Sequence, residues 1–259
     1  MTGTGALQAV NVSRIFDGLV AVKDANLSVN ESQIVALIGP NGAGKTTLLN
    51  CLAGNDSPTH GSIELDGVNI NKWPSHKRAH VGVRRTFQHA RPFASLSLLE
   101  NTMIPLMKTP QYHFFDGVLR TRRYRIRESE MREEAYQSLS RVGLASYAKE
   151  KPGKLSAGQQ RLAEVARAYV GVPRFLLLDE PTSGLDTNEA QVLFNLLSEF
   201  QSEGLGIVLV EHRIRTAVQI ADYIVVMDQG RVVSSGTPDE VRNAKTVIDA
   251  YLGGSSETK

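Results

Sequence analysis

Cysteine occurs once in the 259 residues, at Cys51, and tryptophan once. A single thiol excludes an internal disulfide and fits a reducing compartment. Cys51 lies just after a glycine-rich loop on a segment of helical apolar spacing, where a small core side chain is expected rather than a reactive thiol. No apolar run approaches the ~18 residues that span a bilayer, so membrane work would require another chain to supply the span. Neither sign of charge dominates: 29 Lys and Arg against 27 Asp and Glu leave +2. That balance gives no global reason to expect nucleic acid or an anionic membrane as partner. The opening Met1–Gly5 has neither a basic stretch nor an apolar run, so no signal peptide is expected. Repeats and low-complexity tracts are missing too. What remains is ordinary globular composition, 41% hydrophobic and 22% charged, enough for a full core in one large domain or two small ones.

The most informative stretch present is Gly39-Pro40-Asn41-Gly42-Ala43-Gly44-Lys45-Thr46-Thr47. It follows the apolar run 34–38, which reads as a buried strand, and opens a segment over 47–53 with helical spacing. Strand, glycine-rich loop and helix in that order give G-x-x-x-x-G-K-[ST] its mechanism. The glycines let backbone N–H groups wrap a polyphosphate, and the helix N-terminus adds its positive end. Lys45 is expected at the β- and γ-phosphates, and the Thr46 hydroxyl on Mg²⁺. The pattern predicts a nucleoside triphosphate site.

Upstream, residues 7–12 and 25–30 alternate as short strands, with Phe16 beside a turn at Asp17-Gly18. Residues 61–70 read as a hairpin about Asp66-Gly67. Residues 81–87 form a further strand candidate, ended by Gln88. From about residue 90 the character changes. Ser97-Leu98-Leu99-Glu100 predicts a capping box, and the stretch from Tyr112 to Glu134 is rich in arginine: Arg120, Arg122, Arg123, Arg125 and Arg127. That run fits either a solvated helix face with local ion pairs or a docking surface for an acidic partner or lipid headgroups. Helix is expected over 132–145, with breaks at Gly143 and Gly153. Alternation of strand and helix resumes with a strand over 174–178, a helix over 187–202, a strand over 206–210, a helix over 213–221 and a strand over 222–227. Buried runs separated by helices predict a parallel sheet covered on both faces. Residues 230–236 add a late antiparallel element, and Pro238 opens a short helix.

The strand Phe175-Leu176-Leu177-Leu178 ends in Asp179-Glu180. Because strand side chains alternate, one carboxylate can face a metal at the phosphates while its neighbour approaches the attacking water. Asp179 is the candidate Mg²⁺ holder and Glu180 the candidate general base; two acids there could equally cap the next helix. Leu155-Ser156-Ala157-Gly158-Gln159, 24 residues before Asp179, precedes a helix and would alone be a serine N-cap followed by glycine.

In this order and spacing the three motifs resemble those of the ATP-binding-cassette family, over essentially the whole chain. The phosphate loop Gly39–Thr46, Gln88, the signature Leu155–Gln159, Asp179-Glu180, the D-loop Ser183-Gly184-Leu185-Asp186 and a switch histidine, His212, make up the set. Within the family the chain most resembles the branched-chain amino-acid importer subgroup. Arg85-Thr86-Phe87-Gln88-His89, the long stretch from Gln88 to the signature, Glu211-His212 and the ending 248–253 carry that likeness. Ala157 stands where many cassettes have glycine, and the run 180–186 keeps the general cassette form.

The resemblance implies an α/β P-loop NTPase fold of the cassette type, with a mainly parallel core sheet, an N-terminal antiparallel β part and an inserted helical lobe. It implies a single domain over 1–253, its catalytic core from 1–89 and 172–253 and its helical, signature-bearing lobe from 90–171, before a loose tail at 254–259. It also implies ATP and Mg²⁺ as ligands and head-to-tail pairing with a second cassette, identical or sister. Ser156, Ala157, Gly158 and Gln159 would then face the other chain's nucleotide, with Asp186 nearby. Phe16 matches by position the aromatic that stacks on adenine. Gln88 would touch metal or water and relay nucleotide state to a transmembrane permease, and His212 would contact the γ-phosphate. An extracytoplasmic solute-binding protein is an indirect partner; nucleic acid is not expected. The expected function is an ATPase powering import of branched-chain or other amino acids from the cytoplasmic face of the membrane. Import of urea or another small polar solute, export, and a soluble cassette acting on DNA or ribosomes are the alternatives. A P-loop kinase or GTPase would share the loop but need neither signature nor D-loop nor His212.

Overall fold

Five buried residues, Ile34–Ile38, form the strand on which the larger sheet is centred. In the computed structural model, residues 5–86, 92–107, 122–212 and 214–243 are described, apart from the side chains of Arg123 and Asn243. They divide into two compact units, one drawn from Met1–Gln88, Arg174–Pro181 and Leu197–Lys259, the other from His89–Pro173 and Thr182–Leu196.

The first unit contains two sheets. Strands β1 (Ala6–Phe16), β2 (Leu19–Asn30), β4 (His60–Leu65) and β5 (Val68–Asn69) build an antiparallel sheet of order β2-β1-β4-β5. The expected hairpin about Asp66-Gly67 joins β4 to β5. Alternation suggested strands ending at Val12 and starting at Ala25, but β1 runs on to Phe16 and β2 begins at Leu19. The register shifts between Ala9 and Val12, and again between Val12 and Arg14. Such bulges break the period-two pattern while the pairing continues, so Phe16 ends a strand instead of lying between two.

The second sheet takes β3 (Ile34–Ile38), β6 (Val83–Arg85), β7 (Phe175–Asp179), β8 (Gly206–Glu211), β9 (Tyr223–Asp228) and β10 (Arg231–Gly236), in the order β10-β9-β3-β8-β7-β6. All its pairings are parallel except β10 with β9. Strands β3, β7 and β8 are buried throughout, which is why they read as unbroken apolar runs. Helix α1 (Lys45–Ala53) places Leu48, Leu49 and Leu52 in one core with Leu7, Val29 and Ile63 of the first sheet and Leu37 and Val208 of the second. Helix α2 (Ser75–His80) has no counterpart in the sequence expectations. Its Arg78 is fully buried and donates to the carbonyls of Cys51, Leu52, Ile70 and Trp73. Desolvation pulls the Arg78 pKa down to about 10.

In the second unit, α3 (Leu98–Met103) starts at the expected Ser97–Glu100 capping box. Helix α4 (Arg122–Arg141) begins ten residues earlier than expected. Arginine and glutamate are good helix formers, and Met131, Ala135 and Leu139 give the helix a buried stripe. Arg127 pairs with Glu130 and Arg132 with Glu128, the local ion pairs of a solvated face. Arg120 lies outside the described residues. Ser138 of α4 donates to the Ala166 carbonyl of α5 (Ala157–Tyr169). Helix α6 (Thr187–Ser202) starts in this unit and ends in the first, which also holds α7 (Ile214–Ile220) and α8 (Pro238–Asn243), the last opening with proline as expected.

Candidate active site

The loop between β3 and α1 turns at Gly44, whose φ is +93°. A Cβ there would lie 2.4 Å from the Ala21 carbonyl oxygen, so glycine alone fits. Helix α1 then starts at Lys45 with no side-chain cap and no acid in its first turn. Its first N–H groups lack intrahelical partners, and they sit at the positive end of the helix. An anion fits that position. Asn41, Gly42 and Thr46 are exposed, Pro40 and Thr47 half-buried, Gly39 and Ala43 buried.

Lys45 is only 6% exposed. Its ammonium donates to the carbonyls of Gly39 at 2.8 Å and Pro40 at 2.9 Å. Burial lowers its pKa, and the charges of Glu180, Asp179 and Glu211 pull the other way. Asp179 ends β7 and is fully buried. Thr46 Oγ1 donates to its Oδ1 at 3.4 Å, while Arg85 Nη2 donates to its Oδ2 at 2.8 Å. Hydroxyl and carboxylate oxygens are the hard ligands that suit Mg²⁺, which takes few protein ligands and keeps waters or phosphates for the rest. Lys45, Thr46 and Asp179, far apart in sequence, are thus brought together.

Glu180 lies beyond the end of β7 with a left-handed φ of +47°. Alternation along a strand therefore does not place it; the chain turns there, and its N–H donates to the Val210 carbonyl. Non-glycine residues in this region carry local strain, which collects at functional sites. Its side chain is half-buried. His212 follows the fully buried Glu211 at the end of β8 and is also half-buried. Among the described residues no hydrogen bond or ion pair joins His212 to Lys45, Thr46 or Asp179. Phe16 is exposed, with the Arg14 guanidinium 4.2 Å from its ring centre. Gln88 lies outside the described residues.

The signature and D-loop belong to the second unit. Ser156 caps α5: its Oγ accepts from the Gln159 N–H at 3.1 Å and its own N–H donates to Gln159 Oε1 at 3.0 Å. Ala157 opens the helix and Gly158 is buried in its first turn. Asp186 makes a matching box with Glu189 of α6.

The sequence model of the ABC transporter family matches residues 22–183, a span that holds the loop, the signature and Asp179-Glu180. The chain belongs to the ABC transporter family. A second model, for the branched-chain amino acid ATP-binding cassette transporter, matches residues 231–257 of this cassette. The cassette is 42% identical to the high-affinity branched-chain amino acid transport ATP-binding protein BraF of Pseudomonas aeruginosa, over 95% of this chain and 97% of that one. Its likeness to LivG of Escherichia coli, named in the same words, is 40% over 92% and 94%. Among solved structures it is similar to the ADP conformation of MJ1267, an ATP-binding cassette of an ABC transporter. There the TM-score is 0.83 at 28% identity, covering 96% of this chain and 99% of the other.

Three residues of these sites were given no task at the site from the sequence: Arg85, which donates to Asp179, Asn50, which accepts from Arg85, and Glu189 beside the signature. The one available signal was Arg85, an arginine at the end of a strand with an apolar start, three residues before Gln88. Its partner lies 94 residues away, which no local pattern encodes.

Proposed function

We propose that this cassette is the ATP-hydrolysing subunit of an importer for branched-chain or related amino acids, attached to the cytoplasmic face of a cell membrane. The observation that carries the ATPase reading is the convergence of Lys45, Thr46 and Asp179 at the uncapped start of α1. The solute class is supported by the match over 231–257 and the likeness to BraF and LivG. No helix among the described residues is long and apolar enough to cross a membrane, so transmembrane permease chains must supply the pathway.

Each residue then has a task. Residues 39–47 wrap the phosphates with backbone N–H groups, and Lys45 exchanges its own loop's carbonyls for β- and γ-phosphate oxygens. Phe16 offers a ring face to adenine. Thr46 and Asp179 would hold Mg²⁺, which when bound neutralises charge on the phosphates. Glu180 takes the proton of the attacking water, with His212 and Gln88 completing the γ-phosphate side. Ser156, Ala157, Gly158 and Gln159, with Asp186, address the nucleotide of a second cassette in a head-to-tail pair, where a helix N-terminus again suits an anion. ATP stabilises the closed pair, and its hydrolysis releases it, a shift between two populations. A permease reads that shift through Gln88, and an extracytoplasmic binding protein delivers the solute.

Affinity capture of the tagged chain from detergent-solubilised native membranes tests this. Co-purification of two hydrophobic permease chains with a second cassette is expected, and their reconstitution with the binding protein should give ATP-dependent leucine uptake. Recovery with ribosomes or DNA and no membrane protein would overturn the transport reading.

A further inference from the structure

Asp179 already has a cation beside it. Its side chain is 0% exposed and that of Arg85 8%, with 2.8 Å between Oδ2 and Nη2. The other terminal nitrogen of Arg85, Nη1, donates to Oδ1 of Asn50. Arg85 ends β6, in parallel register with Leu177 two residues before Asp179. Asn50 lies on α1 four residues after Thr46, so on the same helix face. The two oxygens of one buried carboxylate are therefore divided, Oδ1 to the Thr46 hydroxyl and Oδ2 to the guanidinium. A planar fork that bridges an amide and a carboxylate suits arginine, where the single ammonium of lysine would not.

We propose that Arg85 is a positioning residue that acts as the internal counter-cation of Asp179. It keeps the carboxylate turned with Oδ1 toward Thr46 when no divalent ion is bound. It also raises the concentration of ion needed for nucleotide binding, because a fixed positive charge on the same carboxylate repels the ion. This rests on Asp179 being the carboxylate that holds the metal. A merely structural ion pair would contribute to folding without altering the response to Mg²⁺. Asn50 holds the fork in place from the phosphate-binding helix, so the counter-charge is tied to the loop it serves.

The test compares wild type with Arg85→Gln, Arg85→Lys, Asp179→Asn and the Arg85→Gln/Asp179→Asn double variant. Thermal unfolding is followed in EDTA and in Mg²⁺, and a fluorescent ATP analogue is titrated against Mg²⁺. In EDTA, Arg85→Gln should lower the midpoint by about 5–10 °C, since it leaves a buried charge uncompensated. The double variant should recover at least half of that loss. The Mg²⁺ concentration for half-maximal analogue binding should fall about threefold to tenfold in Arg85→Gln, with Arg85→Lys in between. If Arg85→Gln does not fold without metal, Arg85→Lys carries the comparison. An unchanged Mg²⁺ requirement, or a double variant no more stable than Arg85→Gln, would overturn the proposal. Asp179→Asn, which keeps Arg85, tests the underlying assignment separately. Analogue binding with an unaltered Mg²⁺ requirement in that variant would remove Asp179 as the metal-holding residue.

Discussion

Glu189, in the first turn of α6, lies directly against Gly158 of the signature: a Cβ on Gly158 would come within 2.2 Å of its carboxylate. The same carboxylate accepts from the Asp186 N–H at 3.1 Å. A side chain at 158 must push Glu189 off that N–H, and loss of such a cap costs about 1 kcal/mol. Gly158→Ala should therefore lower stability by about that amount in urea unfolding. In the Glu189→Ala background the same substitution should cost much less, because the obstructing carboxylate is gone. Equal costs in both backgrounds would contradict this packing.

Glu180→Gln removes the proposed base and leaves the loop, Lys45 and Asp179 as they are. Turnover of ATP is expected to drop ~10²–10⁴-fold with ATP affinity nearly unchanged. Steady-state hydrolysis and fluorescent-nucleotide titration measure the two quantities. Wild-type turnover would take the role away from Glu180.

Arg78 satisfies four backbone carbonyls from a fully buried position, two of them, Cys51 and Leu52, in the last turn of α1. Arg78→Met fills similar volume with no donor and takes the guanidinium from the Leu52 and Trp73 oxygens, while Cys51 and Ile70 keep the N–H groups of Gly54 and Trp73. Each such group costs about 1–3 kcal/mol, so a loss of about 3–5 kcal/mol in guanidinium unfolding is expected. A loss under about 1 kcal/mol would show that water replaces the guanidinium.

Asp66 accepts from Arg174 at 2.8 and 3.0 Å, and that hydrogen bonding lowers its pKa below the ordinary 3.8. A carboxyl depressed in the folded state stabilises at pH above its unfolded value, and the contribution disappears as pH falls through the folded value. Wild type should thus lose stability more steeply below about pH 4 than Asp66→Asn. Both side chains are more than a third exposed, so solvent screening keeps the difference small. Parallel urea titrations at pH 7 and pH 3 read it; identical slopes would refute the linkage.

Much of the fold was legible because burial leaves a local trace. Strands covered on both faces, such as Ile34–Ile38 and Phe175–Asp179, read as unbroken apolar runs. The capping box at Ser97 depends on residues three apart and was equally visible, as was the serine N-cap at Ser156, whose reciprocal bond from Gln159 the structure adds. The extension of β1 to Phe16 was not, since its bulges scramble alternation. Helix α2 was missed because the six residues Ser75–His80 have a single buried side chain, and that one is an arginine.

By itself the sequence determined the chemistry on offer: a phosphate loop between strand and helix, a pair of acids after an apolar strand, a serine-glycine cap before a helix. These are contiguous patterns whose backbone geometry follows from glycine, proline and side-chain periodicity. Only the tertiary structure decided which of them meet. The parallel register of β6, β7 and β8 carries Arg85 and Asp179 to the same end of the sheet, and α1 brings Thr46 and Asn50 to them. The Arg85–Asp179 pair of that cluster is buried, and its burial depends on every strand around it. Desolvation and counter-charge are properties of a packed neighbourhood, and no stretch of sequence contains one.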